Sequence, residues 1–183
     1  MKNSIQVIAP ASYALLTAHQ KKAIENFFIK KGWNFDWGAN TFKKTTVFGA
    51  TDAERLSDLT QAFKKNTSVV MALRGGYGSA RLLSKINWDL LKKSNSLFAG
   101  FSDLTTFQNA YYTKTSKPSI TGMIATYLKE TPDQAITTSF FNILQGGDID
   151  FKGLPHIIKG AASGILIGGN LTCFESLIGT GRG

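Results

Sequence analysis

The sequence predicts an α/β fold, a Rossmann-like layered N-terminal domain with a mainly parallel sheet, followed by the beginning of an incomplete C-terminal domain. Three observations lead there. Short β-branched and apolar runs alternate with helical segments that carry caps. Glycine or serine turns follow two of those runs directly. The 183 residues are 43% hydrophobic and 18% charged, which fills a core and excludes a disordered chain.

Each element has its own signal. Residues 4–9 are a short apolar run ended by Pro10-Ala11-Ser12. Thr17-Ala18-His19-Gln20 is a capping box, with Ile24, Phe27 and Phe28 at helical spacing behind it and Gly32 as the stop. Residues 33–37 alternate apolar and polar, as a strand does. Thr51-Asp52-Ala53-Glu54 is a second capping box, before Leu56, Leu59 and Phe63. The run 68–73 reads as a strand that empties into Arg74-Gly75-Gly76-Tyr77-Gly78. A short helix through Ala80, Leu82 and Leu83 follows, and Asn87 caps another turn. Residues 96–101 form the next strand, and Ser102-Asp103 opens a helix carrying Leu104, Phe107 and Ala110. Thr131-Pro132-Asp133-Gln134 reads as a third capping box, with Pro132 at the first helical position.

These signals place residues 1–144 in the N-terminal domain. Gln145-Gly146-Gly147-Asp148 opens a linker, 145–164. Residues 165–183 read as a strand and helix lacking their partner layers, an apolar patch prone to association.

Composition narrows the function. Lys and Arg total 21 against 12 Asp and Glu, a net charge of +9. The basic residues fall as pairs near helix ends, where the dipole favours them, and no aromatic-interleaved stripe suggests nucleic acid. One cysteine, Cys173 in an apolar run, excludes an intrachain disulfide framework and reads as a small buried hydrophobe in a reducing compartment. No apolar stretch reaches the ~18 residues of a membrane span, and the N-terminal run is too short and polar for a secretory signal.

Parallel sheets place ligand sites at the carboxyl ends of their strands, which singles out two turns. Gly100-Phe101-Ser102-Asp103 has the form of a nucleophile elbow without its second glycine, since Leu104 stands there. The alternative is that Ser102 merely caps a helix. Arg74-Gly75-Gly76-Tyr77-Gly78-Ser79 is either an oxyanion loop or a tight turn. It lacks the spacing of a dinucleotide or P-loop fingerprint. His19 lies in the first turn of a helix and His156 beside Pro155, and each reads as structural. No metal-ligand or cofactor spacing is evident.

Five segments in order resemble the LD-carboxypeptidase family of serine peptidases, which includes muramoyltetrapeptide carboxypeptidase and the microcin C immunity hydrolases. They are Val7-Ile8-Ala9-Pro10-Ala11-Ser12; Phe48-Gly49-Ala50-Thr51-Asp52-Ala53-Glu54-Arg55 with Asp58-Leu59; Arg74 to Leu83; Phe98 to Thr105; and Leu166-Ile167-Gly168-Gly169-Asn170-Leu171 with Gly179-Thr180. The resemblance implies a cytoplasmic two-domain enzyme with its active site in the interdomain groove, and often a homodimer. It makes Ser102 the nucleophile. The Asp103 N–H and a glycine N–H, Gly76 or alternatively Gly75, form the oxyanion hole. Its substrate class is a peptide cut before a C-terminal D-residue, such as D-alanine on a murein tetrapeptide, with a microcin-like amide as the alternative. Arg74, Tyr77 and Arg81 are candidate substrate contacts, the arginines alternatively ion-pair partners.

Three departures stand out. Phe101 replaces the family's usual Tyr. Thr121-Gly122-Met123 stands where His-Gly-Pro-Met is usual. The family's catalytic Glu and His lie beyond the Gly-Thr landmark, and neither Glu175 nor His156 matches them. The expectation is therefore a truncated chain with a nucleophile and no base. The competing readings are a non-catalytic binding module and a nucleotide-binding domain.

Overall fold

The computed structural model describes residues 3–45, 48–150 and 160–180. Five strands form one sheet: β1 (Ser4–Ile8), β2 (Asn34–Trp37), β3 (Val69–Ala72), β4 (Leu97–Gly100) and β5 (Ser119–Thr121). Their order is β2-β1-β3-β4-β5, and every neighbouring pair is parallel. The chain therefore reverses its direction of winding at β1, so the loops after β1 and β3 diverge there, as at a topological switch point.

The helices form because their ends are satisfied locally. In α1 (Ala18–Ile29), Thr17 Oγ1 accepts from the Gln20 N–H at 3.2 Å, and Gln20 Oε1 accepts from the Thr17 N–H at 3.1 Å. In α2 (Asp52–Lys64), Thr51 and Glu54 make the same reciprocal pair at 3.3 and 3.0 Å. Asn87 caps α3 (Trp88–Lys93) by accepting from the Leu90 N–H. The remaining helices are α4 (Thr105–Thr115), α5 (Gln134–Leu144) and α6 (Leu171–Glu175), with 3-10 turns over Ser79–Lys85, Ser102–Leu104 and Ala125–Leu128.

Strand alternation distributes the core over both faces of the sheet. Ile8, Val70, Ala72 and Phe98 meet Leu59 and Phe63 of α2, Leu91 of α3, and Phe107 and Tyr111 of α4. Ile5, Val7, Val69, Met71 and Ala99 meet Ile24 and Phe28 of α1, Leu128, and Phe140 of α5. The α/β layering expected from the sequence is thus present.

Three expectations need correction. The third helix cap is Asp133, not Thr131. Asp133 Oδ1 accepts from both Ala135 and Ile136, at 2.7 and 3.2 Å, which leaves Pro132 outside the helix. No strand forms at Ile165–Ile167, because among the described residues no ladder partner lies beside it. Cys173 is half-buried, and desolvation, with the Asp103 charge second, pushes its thiol up. The expected linker lies partly, and His156 entirely, outside the described residues.

Residues 160–180 do meet the layered core. Leu177 is buried in the cluster beneath α4. Thr105 Oγ1 accepts from the Asn170 N–H at 3.0 Å, and Asn109 Nδ2 donates to the Gly168 carbonyl at 3.0 Å. Among the described residues, no helix is long and apolar enough to cross a membrane.

Candidate active site

The site is built where β1, β3 and β4 end. β4 stops at Gly100, Phe101 is fully extended, and Ser102 turns into the left-handed region at φ 65°. A serine there is strained by about 1–3 kcal/mol, so the turn persists only because its surroundings impose it. Phe101 stands at the cap position of the Ser102–Leu104 turn, and no side-chain cap bond forms there. Among the described residues the half-buried Ser102 hydroxyl has no hydrogen-bond partner.

The glycine loop lies directly against it. A Cβ on Gly75 would sit 2.9 Å from Ser102 Cβ, 3.2 Å from Ser102 Oγ and 3.3 Å from the Phe101 carbonyl oxygen. Only a glycine fits that approach. Gly76, at φ 118°, instead turns its open side toward Ser12, whose Oγ would lie 2.3 Å from an added Cβ. Ser12 completes the contact by accepting from the Tyr77 N–H at 3.0 Å. The loops after β1 and β3 are thereby joined across the switch point.

The Asp103 side chain and carbonyl hold the glycine loop. Its Oδ2 accepts from the Ser79 N–H at 2.9 Å, and its carbonyl accepts from Ser79 Oγ at 2.7 Å and Thr106 Oγ1 at 3.0 Å. This network binds the glycine loop to the elbow from below. On the other side, buried Arg55 donates through Nη1 to the carbonyls of Pro10 and of Gly78, the latter at 3.0 Å, and through Nη2 to Asp52 Oδ1 at 2.6 Å. Ser12, Ser79 and Arg55 fell inside the motif segments of the sequence, but nothing in their spacing revealed these contacts.

The other candidates separate. Arg81 forks onto Asp52, with Nε at 3.2 Å from both carboxylate oxygens and Nη2 at 2.9 Å from Oδ2. That bond first, and Arg55's second, holds the Asp52 carboxyl below the usual range. Arg74 is exposed and donates to the Tyr13 carbonyl at 3.4 Å. Tyr77 is 64% exposed, and its ring stacks on Phe48 at 5.8 Å, which in turn lies beneath the Arg55 and Arg81 guanidinium groups. At the end of β5, Thr121 Oγ1 accepts from Gln108 Nε2 at 3.1 Å, Gly122 has φ 121°, and Met123 is buried. Phe101, in place of the usual Tyr, packs on Tyr127 at 5.5 Å. His19 is exposed at the start of α1, and Glu175 is exposed at the end of α6. Among the described residues, no His or Glu side chain hydrogen-bonds to Ser102.

Known proteins share this architecture. The chain is 30% identical to a murein tetrapeptide carboxypeptidase of Pseudomonas aeruginosa, over 96% of its own length and 60% of that protein's. It is 29% identical to a probable murein peptide carboxypeptidase of Bacillus subtilis, over 97% of its length and 57% of that protein's. The chain thus spans under two thirds of the length of these relatives. The microcin C7 self-immunity protein MccF, in complex with aspartyl sulfamoyl adenosine, superposes with a TM-score of 0.77 at 22% identity, over 98% of this chain and 64% of that one. The family model described as the LD-carboxypeptidase N-terminal domain matches residues 5–122, the stretch that holds the five described strands but for Ser4, the glycine loop and the turn at Ser102, and the chain belongs to that family.

Proposed function

We propose that this chain carries the nucleophile half of a serine-type LD-carboxypeptidase that releases a C-terminal D-alanine from a murein tetrapeptide in the cytoplasm, during cell-wall recycling. The observation that carries the reading is the elbow: a serine at φ 65° with its hydroxyl uncommitted and a glycine packed on it. Ser102 Oγ attacks the carbonyl carbon of the scissile amide. The carbonyl oxygen gains the negative charge, and the N–H groups of Asp103 and Gly76 stabilise it. What supports the choice of Gly76 is that its N–H follows Gly75, on which a Cβ would meet Ser102. The amine of the D-residue then leaves with a proton, and water hydrolyses the acyl-enzyme.

Both proton transfers need a base, and a serine hydroxyl without one is a poor nucleophile. Removing triad members from serine peptidases costs on the order of 10⁶ in turnover. The 183 residues by themselves are therefore expected to turn over slowly. The murein assignment rests on the two named relatives, at 29% and 30% identity.

The test is a fluorophosphonate probe followed by peptide mass mapping. The expected adduct is on Ser102, forms slowly and only at high probe concentration for want of a base, and is absent from Ser102→Ala. An adduct elsewhere, or none, removes Ser102 from the nucleophile role. Rapid D-alanine release by this chain, lost in Ser102→Ala, would overturn the claim that it is slow alone.

A further inference from the structure

The glycine loop reaches Ser102 on a backbone that has little intrinsic preference. Gly76 and Gly78 stand at φ 118° and 115°, a region that glycine enters and leaves at small cost. One peptide of the loop is nevertheless gripped at both ends. Its carbonyl, of Gly78, accepts from Arg55 Nη1 at 3.0 Å. Its N–H, of Ser79, donates to Asp103 Oδ2 at 2.9 Å. Arg55 is 1% exposed and Asp103 6%, so both charged groups act out of water.

We propose that Arg55 and Asp103 are positioning residues that clamp the Gly78–Ser79 peptide between opposite charges and so hold the glycine loop against Ser102. The inference rests on the reading of Ser102 as the reacting hydroxyl. Its logic is electrostatic. Turned over, the peptide would aim its carbonyl oxygen at the Asp103 carboxylate and its N–H at the Arg55 guanidinium. Both contacts would become repulsive in a setting where charges are weakly screened. The two charges therefore select one orientation of a peptide whose glycine would tolerate either. Neutral partners would hold both ends but discriminate less, because charge-assisted bonds are about twice as strong as neutral ones.

The clamp is braced on three strand ends. Arg55 also binds the Pro10 carbonyl after β1 and is steadied by Asp52 at 2.6 Å. Asp103 follows β4, and its own carbonyl is fixed by Ser79 Oγ and Thr106 Oγ1. The gripped peptide follows β3 and sits between them. A flip of this peptide would break the Arg55 and Asp103 contacts that tie the loop after β3 to the ends of β1 and β4.

The experiment follows the Ser79 amide by NMR in the whole 183-residue chain. The wild-type proton is expected at low field and slow to exchange, because its acceptor is a carboxylate. Asp103→Asn keeps the shape and an acceptor oxygen but removes the charge. It is expected to move the Ser79 proton up-field and speed its exchange about 10- to 100-fold. The Leu73 amide, bonded to the Ile8 carbonyl at 2.7 Å, stays unchanged as the fold control. Arg55→Lys, which keeps a charge on the Gly78 carbonyl, is expected to retain slower Ser79 exchange than Arg55→Ala. If Arg55→Ala does not fold, Asp103→Asn carries the test alone. A Ser79 shift and exchange rate unmoved by Asp103→Asn would overturn the clamp. So would a moved Ser79 with fluorophosphonate labelling of Ser102 at the wild-type rate, since the loop would then not depend on it. If the wild-type chain takes no label at Ser102, the nucleophile reading fails while the Ser79 amide still decides the clamp.

Discussion

The strand ends around Ser102 and the segment 160–180 treat their side chains in opposite ways. Around Ser102 the protein buries polar groups and matches them. Ser79, Asp103, Thr105 and Thr106 are buried and hydrogen-bonded, and buried Arg55 is bonded through both Nη atoms, its Nε alone lacking a partner among the described residues. In the segment 160–180 it exposes apolar groups and leaves them uncovered by the described residues: Leu166 is 97% exposed, and Ile165, Ile167, Leu171 and Ile178 are also exposed. Buried polar networks are costly when half-satisfied and specific when complete. The turn at Ser102 is held mostly by contacts within residues 3–150, with Thr105 accepting also from the Asn170 N–H, whereas the later segment is held at a few points only.

A glycine swap tests that contrast most strongly. Gly75→Ala places a methyl 2.9 Å from Ser102 Cβ with backbone behind it at 3.3 Å. The loop must retreat, and a displacement near 1 Å at a reacting group costs on the order of 100-fold in rate. Fluorophosphonate labelling of Ser102 is expected to fall by about that factor, with a loss of about 1–3 kcal/mol in stability from overpacking. Gly164→Ala, with nothing within 4 Å of the new methyl, is expected to change stability by less than about 0.5 kcal/mol. Equal effects at the two positions would erase the distinction.

The same contrast explains what could be read in the sequence. The boxes at Thr17 and Thr51 were legible because donor and acceptor stand three residues apart on one turn. β1, β3 and β4 were legible as apolar runs, β2 from its alternation and the loop at Gly75 from its composition, whereas β5 was not read from its residues. The third cap was ambiguous because Thr131 and Asp133 are both capping residues, and only Asp133 reaches two free N–H groups. The apolar run at Ile165–Ile167 read as a strand because a strand's partner is invisible in the strand itself. Ser102 had the spacing of a helix cap, and nothing in that spacing announced its φ of 65°. The clamp was hidden for a different reason. Its contacts join residues 23 and 24 positions apart, and no periodicity reports such distances.

A smaller effect sharpens the account of the later segment. Leu177 is its one side chain buried in the core cluster, below α4. Leu177→Ala is expected to release α6 locally, worth about 2 kcal/mol for a side chain that can partly collapse into place. The amides of Phe174 and Leu177 would exchange about 30-fold faster, and the melting temperature of the rest would stay within experimental error. A cooperative fall in melting temperature would show instead that the segment is integral to the core.

The smallest effect is a pH dependence, and its sign differs between two carboxylates. The Arg81 bond, then Arg55's, holds Asp52 below its ordinary value, near 3.9 for an unfolded chain. Between the folded and unfolded values the unfolded chain binds more protons, so stability rises with pH. Asp52's contribution is complete above the unfolded value and disappears as pH falls through the folded one. Asp58 behaves oppositely. Burial raises it despite the hydrogen bonds from Asn40 at 2.9 and 2.8 Å, so across its window the folded state binds more protons and stability falls as pH rises. Asp52 is 18% exposed and its Arg81 partner lies mostly in water, which limits Asp52→Asn to about 1 kcal/mol at pH 7. Urea midpoints from pH 2.5 to 7 are expected to show the Asp52→Asn deficit growing with pH and the Asp58→Asn difference shifting in the opposite sense. Exchange in α6 should ignore both, because the only carboxylate of residues 160–180, Glu175, is exposed and distant in sequence from either. A pH-independent Asp52→Asn deficit would mean that the ion pair bracing Arg55 holds the loop by shape alone, and the charge argument for the elbow would lose its outer support.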